Sequence, residues 1–185
     1  NLIEQFSVVA IGGAMANTFL LANNYPVGKS LVEKNLIQEA NNIQLKAKKL
    51  NCELTLPIDI LCGKNIHDKN PVHRKIHEVL PEEMMLDIGN ESTQFISNKI
   101  INSKMVLWNG PVGAFEFKPY DKATNAIANV IKVNAKKVNI NTLAGGGDTV
   151  SAIKNTNAED GFNYISNAGG AFLEWLEGNE SPGVK

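Results

Sequence analysis

Short apolar runs recur along the chain, and each closes on glycine before a stretch that can form a helix. Residues 8–11 end at Gly12-Gly13, and 14–21 then predict a helix. Residues 84–88 close on Gly89 ahead of a helix near 93–102. Residues 104–108 close on Asn109-Gly110-Pro111-Val112-Gly113 ahead of one near 122–133. Residues 139–144 lead into Gly145-Gly146-Gly147 and a helix from Asp148. Residues 162–166 lead to Gly169-Gly170 and a helix over 171–177. Strand, glycine turn and helix thus recur five times. The alternation predicts an α/β fold, a doubly wound parallel sheet with helices on both faces in a three-layer, Rossmann-like arrangement. Strands buried on both sides read as unbroken apolar runs, as 105–108 do. In such sheets ligands bind beyond the carboxyl ends of the strands, where these glycines fall.

The stretch between the first two units is less regular. Ser30-Leu31-Val32-Glu33 has capping-box spacing, which predicts a helix over 31–50 with Leu31, Ile37 and Leu45 among its apolar positions. Residues 54–61 predict a strand, with Pro57 marking an edge or a bend. Residues 64–81 are polar, hold all three histidines and show no period, so they predict an excursion carrying a short strand or turn.

Composition narrows the function classes. The length of 185 residues fits one domain spanning 1–185, and the opening on Asn1 rather than methionine leads us to expect a missing front. Net charge is −1 and Arg74 is the one arginine, which argues against a nucleic-acid partner. It also leaves backbone amides, rather than guanidinium forks, to grip any anion. No run approaches the roughly 18 apolar residues of a membrane span, so no membrane partner is expected. Cys52 and Cys62 are too few for a disulfide framework and predict reduced, buried thiols in a cytoplasmic protein. His73 and His77 are spaced for one helical face; with no acidic partner apparent, a solvated helix is expected there rather than zinc.

The glycine turns carry the candidate chemistry. Glycine after a strand permits a tight turn and close approach of a ligand to the main chain, and the next helix presents unpaired N–H groups to an anion. At Gly145-Gly146-Gly147-Asp148-Thr149, Gly146 and Gly147 can offer amides to phosphate, with Asp148 or Thr149 holding a magnesium ion. Equally, Asp148 or Thr149 can be a plain helix cap. Glu116, past the Asn109–Gly113 turn, has the chemistry to accept from a ribose hydroxyl, though exposed glutamates are common. Gly28-Lys29-Ser30 imitates the end of a Walker A motif, but Asn23 stands where its first glycine belongs. No G-x-G-x-x-G follows a strand, which argues against a nicotinamide dehydrogenase.

Several motifs occur together in one order. They are Ile11-Gly12-Gly13-Ala14-Met15-Ala16-Asn17-Thr18-Phe19, Val27-Gly28-Lys29-Ser30-Leu31, Leu56-Pro57-Ile58-Asp59 and Leu86-Asp87-Ile88-Gly89. Trp108-Asn109-Gly110-Pro111-Val112-Gly113-Ala114-Phe115-Glu116, Gly145-Gly146-Gly147-Asp148-Thr149 and Gly169-Gly170-Ala171-Phe172-Leu173-Glu174 complete the series. Together they resemble the carboxyl-terminal, nucleotide-binding domain of phosphoglycerate kinase from end to end of the chain. The resemblance implies phosphoryl transfer between 1,3-bisphosphoglycerate and ADP, giving 3-phosphoglycerate and MgATP, with Mg2+ as cofactor. It implies that Gly12, Gly13, Ala14, Leu86, Pro111, Val112, Gly113 and Ala114 line the adenine side and Glu116 binds ribose. It places Asn109 near the phosphates, which Gly146, Gly147, Asp148 and Thr149 would hold, with Asp148 the metal ligand. Amides at Gly169 and Gly170 would face the transferring group. Ala14 stands in place of a third glycine, Met85 in place of a glycine that would widen the base pocket, and Asn167-Ala168 in place of Thr-Gly. The family's basic, phosphoglycerate-gripping domain and its lysine loop are absent from this sequence, so the fragment is expected to be inactive alone and the full-length protein a monomer. The alternatives are a non-catalytic nucleotide-binding remnant and a ligand-free scaffold.

Overall fold

The computed structural model describes residues 2–167, in which helices α1 (Leu2–Gln5), α2 (Gly13–Ala22), α3 (Ile37–Lys49), α4 (Asn90–Ile101), α5 (Lys122–Asn134) and α6 (Gly147–Asn155) alternate with strands. The strands are β1 (Val8–Ala10), β2 (Glu53–Thr55), β3 (Asp59–Gly63), β4 (Val72–Lys75), β5 (Met84–Ile88), β6 (Met105–Asn109), β7 (Asn141–Gly145) and β8 (Tyr164–Ser166). The fold class is α/β with parallel sheets, as the alternation predicts. Two compact units share the chain. One holds the residues up to Ile96 together with Val112–Thr124; the other holds Ser97–Pro111 and the described residues from Asn125.

In the first unit β1 and β2 pair in parallel, Val8 opposite Glu53, and β4, β3 and β5 form a second sheet in that order. Both pairings of that second sheet are antiparallel, which departs from the all-parallel expectation. Pro57 falls in the break that divides the stretch expected as one strand into β2 and β3, and the chain then returns through residues 64–71 to add β4 antiparallel beside β3. In the second unit the described strands meet the expectation: β6, β7 and β8 are parallel, with Trp108 opposite Ala144 and Ala144 opposite Ile165.

Apolar burial fixes these elements. Ile11, Ala16, Phe19 and Ala40 form one cluster with Val9, Ile43 and Leu54, so α2 and α3 pack on β1 and β2. Leu20, Val27, Ile60, Cys62, Val79 and Met85 form another. Asparagine, not glycine, closes several helices: Asn24, Asn51 and Asn157 adopt positive φ after α2, α3 and α6. The next amide then reaches back five residues, from Tyr25 to Leu20, Cys52 to Ala47 and Ala158 to Ile153, satisfying carbonyls that the helix leaves open.

Two local expectations fail because tertiary partners outbid local ones. The Ser30 hydroxyl accepts from Met85 N at 2.8 Å, and Glu33 N donates to Thr18 Oγ1 at 3.0 Å. No capping box forms; a 3₁₀ turn at Lys34–Leu36 precedes α3. Leu31 and Leu45 are exposed, and Ala40 and Ala47 supply the buried face of α3 instead. His73 and His77 share no helix either, since His73 lies on β4 and His77 in the turn after it.

His73 does have acidic partners, contrary to expectation: its Nε2 lies 2.8 Å from Oδ2 of the buried Asp59, and Glu91 is nearby. Asp59 also accepts from the amides of Glu91 and Ser92 at the start of α4 and from the Ser92 hydroxyl. A Cβ on Gly89 would overlap this carboxylate, so glycine there lets the start of α4 close onto β3. Burial opposes ionisation of Asp59, but the bonds from Ser92, His73 and the two amides outweigh it and hold its pKa below the ordinary aspartate value.

Asp59→Ala should lower stability by about 3 kcal/mol at pH 7 in urea unfolding, since buried donors lose an ionised acceptor. A lowered folded-state pKa contributes stability above the ordinary aspartate pKa and loses it as pH falls through the folded value. The gap between the two proteins should therefore narrow in acid. A loss below about 1 kcal/mol at pH 7 would show that something else fastens α4.

Candidate functional site

The sequence-derived site residues fall into two groups, one in each unit. In the first unit, β1 gives way to the Gly12-Gly13 turn, with Ile11 N still bonded to Thr55 O beyond the paired strands. Gly12 precedes α2 in extended conformation, and Gly13 opens the helix at φ +59°. Gly13 N donates to Val112 O at 3.0 Å, and a Cβ on Gly12 would stand 2.8 Å from Val112 Cβ. Side chains on both partners cannot share that space, so Gly12 is required by the approach of residue 112. Ala114 N donates to Leu86 O at 2.7 Å, which lays the 112–114 segment on β5. The structure thus brings Gly12, Gly13, Val112, Gly113, Ala114 and Leu86 together, main chain against main chain. Ala14 is exposed on the first turn of α2, and Glu116 is exposed in the turn after Phe115. Leu86 is buried, its Cδ1 close to Gly63. Met85 does not narrow this side; neighbouring strand residues face opposite ways, and Met85 packs into the Leu20–Ile60 cluster.

The second unit supplies the other group. Trp108 stacks on Phe162 with ring centroids 6.1 Å apart, and its indole N–H donates to Gly110 O at 2.7 Å. Gly110 takes φ +96°, and its amide donates to Thr149 Oγ1 at 2.6 Å. Gly146, at φ +97°, turns the chain from β7 into α6 with space for a Cβ only 3.1 Å from Asn109 Oδ1. Asn109, Gly110, Gly146 and Thr149 therefore meet at one corner.

Neither Asp148 nor Thr149 caps α6. Gly146 is the N-cap residue and provides no side chain, while the Thr149 hydroxyl is buried and turned to Gly110. The first helical bond runs from Val150 N to Gly146 O, so Gly147, Asp148 and Thr149 carry the orphan amides of the helix start. The Gly146 amide is not among them; it donates to Ser166 O at 3.2 Å because Gly146 still extends β7 alongside β8. Gly147 and Asp148 are exposed, and a Cβ on Gly147 would meet nothing within 4 Å. An exposed carboxylate beside orphan amides suits a divalent cation bridged to phosphate oxygens, because Mg2+ usually takes one or two carboxylates and completes its shell from phosphate and water. Gly169 and Gly170 lie outside the described residues.

Other ionisable candidates are already engaged. Arg74 forms a forked pair with Glu83, Nη2 to Oε1 at 2.8 Å and Nε to both oxygens at 3.2 Å. Asp59, His73 and Glu91 place ligand atoms within 4.8 Å of one another, but the Asp59 oxygens already accept from α4 and Glu91 pairs with Lys75. Cys52 and Cys62 are free and buried, and burial pushes the Cys62 thiol up to about 12, so neither is a ready nucleophile.

By its fold and glycine-built strand ends, the chain is a Rossmann-like α/β protein whose helix α6 starts without a side-chain cap. The phosphoglycerate kinase family model matches residues 1–179, and the chain belongs to that family. It is 44% identical over 187 aligned positions to phosphoglycerate kinase of Rhodospirillum centenum, covering all of this chain and 47% of that protein. The enzyme of Zymomonas mobilis is 41% identical with the same coverage. The solved phosphoglycerate kinase of Coxiella burnetii matches with a TM-score of 0.91 at 33% identity, over 96% of this chain and 46% of that one. That of Pyrococcus horikoshii, at TM-score 0.68 and 21% identity over 94% of this chain and 43% of that one, shares the fold. The chain spans about half the length of the curated relatives it matches.

Thr149→Val should leave the Gly110 amide without its acceptor and cost about 1–3 kcal/mol in thermal or chemical unfolding. Thr149→Ser, which keeps the hydroxyl, should recover most of the loss. Equal stability of the valine and serine variants would show that the hydroxyl does not hold this corner.

Proposed function

We propose that this chain is the nucleotide-binding part of a phosphoglycerate kinase, which transfers a phosphoryl group between 1,3-bisphosphoglycerate and ADP to give 3-phosphoglycerate and MgATP. The carrying observation is the start of α6, where Thr149 is withdrawn to Gly110 and leaves the amides of Gly147 and Asp148 without a side-chain cap. A helix start left open in this way is receptive to phosphate through both its donors and its dipole.

In this reading Gly147, Asp148 and the amide of Thr149 take phosphate oxygens. Gly146 supplies the turn and Asn109 lies beside it. Asp148 is the protein ligand to Mg2+, which neutralises charge on the phosphates when bound. Gly12, Gly13, Ala14, Leu86, Pro111, Val112, Gly113 and Ala114 serve the base, Glu116 the ribose, and Gly169 and Gly170 the transferring group. The protein acts in the cytoplasm on small molecules and as a monomer when full length. The 185-residue chain alone binds nucleotide without turnover, because its one guanidinium is occupied by Glu83 and none remains to grip phosphoglycerate.

Calorimetric titration with MgADP should give a saturable signal with Kd of about 1 mM or tighter, equivalent to about −4 kcal/mol. Asp148→Asn should weaken MgADP several-fold and change metal-free ADP little. Mixing the chain with 1,3-bisphosphoglycerate and ADP should form no ATP. Absence of heat and of any melting shift at millimolar MgADP would defeat the nucleotide reading, and ATP formation would defeat the claim of inactivity.

A further inference from the structure

We infer that Asp87 is a positioning residue for the base side: its carboxyl group sets the 112–114 segment and the first turn of α5 against β5. This rests on the nucleotide reading above and adds a residue to which that reading gives no role.

Asp87 follows Leu86 on β5 and is 3% exposed. Its two oxygens are divided between two tasks. Oδ1 accepts from the neighbouring amide of Ile88 at 3.0 Å, and Oδ2 accepts from Ala123 N at 3.0 Å, in the first turn of α5. A Cβ on Gly113 would overlap Oδ1, so residue 113 lies directly on the carboxyl group. One residue earlier, Leu86 O takes the amide of Ala114. The 112–114 segment is thus seated by β5 at two successive positions, a carbonyl and a buried carboxyl. At its other end Val112 N reaches Thr124 Oγ1 in the same turn of α5 that Asp87 holds.

Both hydrogen bonds to the group come from neutral amides. Burial pushes its pKa up to about 7, against the two amides, which lower it. The charged groups facing it both come from the start of α5, Asp121 opposing ionisation and Lys122 favouring it. From β3 the residue in register is Leu61, and the loop presents Gly113. Near neutrality the group therefore exchanges between a carboxylate, which draws both amides, and an acid, which holds them less strongly. The seat of residues 112–114 should tighten as pH rises through that range. Stability should move the other way: a raised folded-state pKa gives stability that is full below the ordinary aspartate value and is lost as pH rises toward 7.

Adenosine is the test ligand, because it has no phosphate to titrate. Its affinity for the wild-type chain, measured by ligand-observed NMR, should strengthen several-fold between pH 6 and pH 8 with a midpoint at about 7. Asp87→Asn retains one acceptor and cannot titrate; its adenosine profile should be flat and its MgADP affinity at pH 7.5 about tenfold weaker, the worth of roughly one hydrogen bond. Magnesium pyrophosphate, which needs only the α6 corner, should bind both proteins equally. Should the asparagine variant fail to fold, the wild-type adenosine profile decides alone, and a flat profile overturns the inference. Adenosine binding by Asp87→Asn with wild-type strength and pH dependence would also overturn it while leaving the nucleotide reading intact. A wild-type chain that binds neither adenosine, pyrophosphate nor MgADP would remove both.

Discussion

The first unit depends on glycines at places where any side chain would hold packed segments apart. Gly12 meets Val112, Gly113 meets Asp87 and Gly89 meets Asp59, each with a Cβ's worth of space already filled by the partner. The first of these joins segments about a hundred residues apart, and the bond from Gly13 N to Val112 O fastens them through peptide groups. Packing made this way leaves no room for a side chain at residues 12, 89 and 113. Its weakness is entropic, since glycine loses the most freedom on folding. The apolar clusters under α2 and α3 and the bonds from Asp59 to α4 must offset that cost.

Much of this was legible because it follows periodicity. Apolar runs closing on glycine located β1, β5, β6, β7 and β8, and the second unit is parallel as the alternation requires. The features that could not be read depended on distant partners. Ser30 and Glu33 have the spacing of a helix cap, yet Met85 and Thr18 engage the same groups across the fold. The antiparallel β4, β3, β5 sheet was hidden because a polar edge strand such as β4, with Val72, His73, Arg74 and Lys75, carries no apolar signature. Asparagine at the helix ends was a readable signal, since Asn24, Asn51 and Asn157 each tolerate the left-handed conformation that a closing turn requires.

For the candidate site, the sequence singles out glycine turns but not which of their groups the fold engages. Gly145-Gly146-Gly147-Asp148-Thr149 left open whether Asp148 or Thr149 caps the helix, and the fold assigns capping to neither side chain. Thr149 is drawn inward because Gly110, at positive φ, turns its amide toward α6, and Trp108 fixes Gly110 from the opposite side through its carbonyl. Gly146 loses its amide to Ser166 for an equally non-local reason: β8 continues beside β7. The donors left open are therefore those of Gly147, Asp148 and Thr149, shifted along the chain from the Gly146 and Gly147 amides that the motif suggested.

Two aspartates on paired strands show opposite chemistry, although neither side chain is exposed. Asp59 and Asp87 lie on β3 and β5, and both are almost fully buried. Asp59 collects the Ser92 hydroxyl, His73 and two helix-start amides, and these hold it ionised despite burial. Asp87 collects two amides, and burial prevails. Two things differ: burial weighs more heavily on Asp87, and fewer donors are gathered there to offset it. The start of α4 lies directly over Asp59, whereas Asp87 meets a glycine that has no side chain to offer. A carboxylate with a full set of donors serves as a permanent fastener. One with half a set remains responsive near neutral pH, and the fold puts that responsive group under residues 112–114.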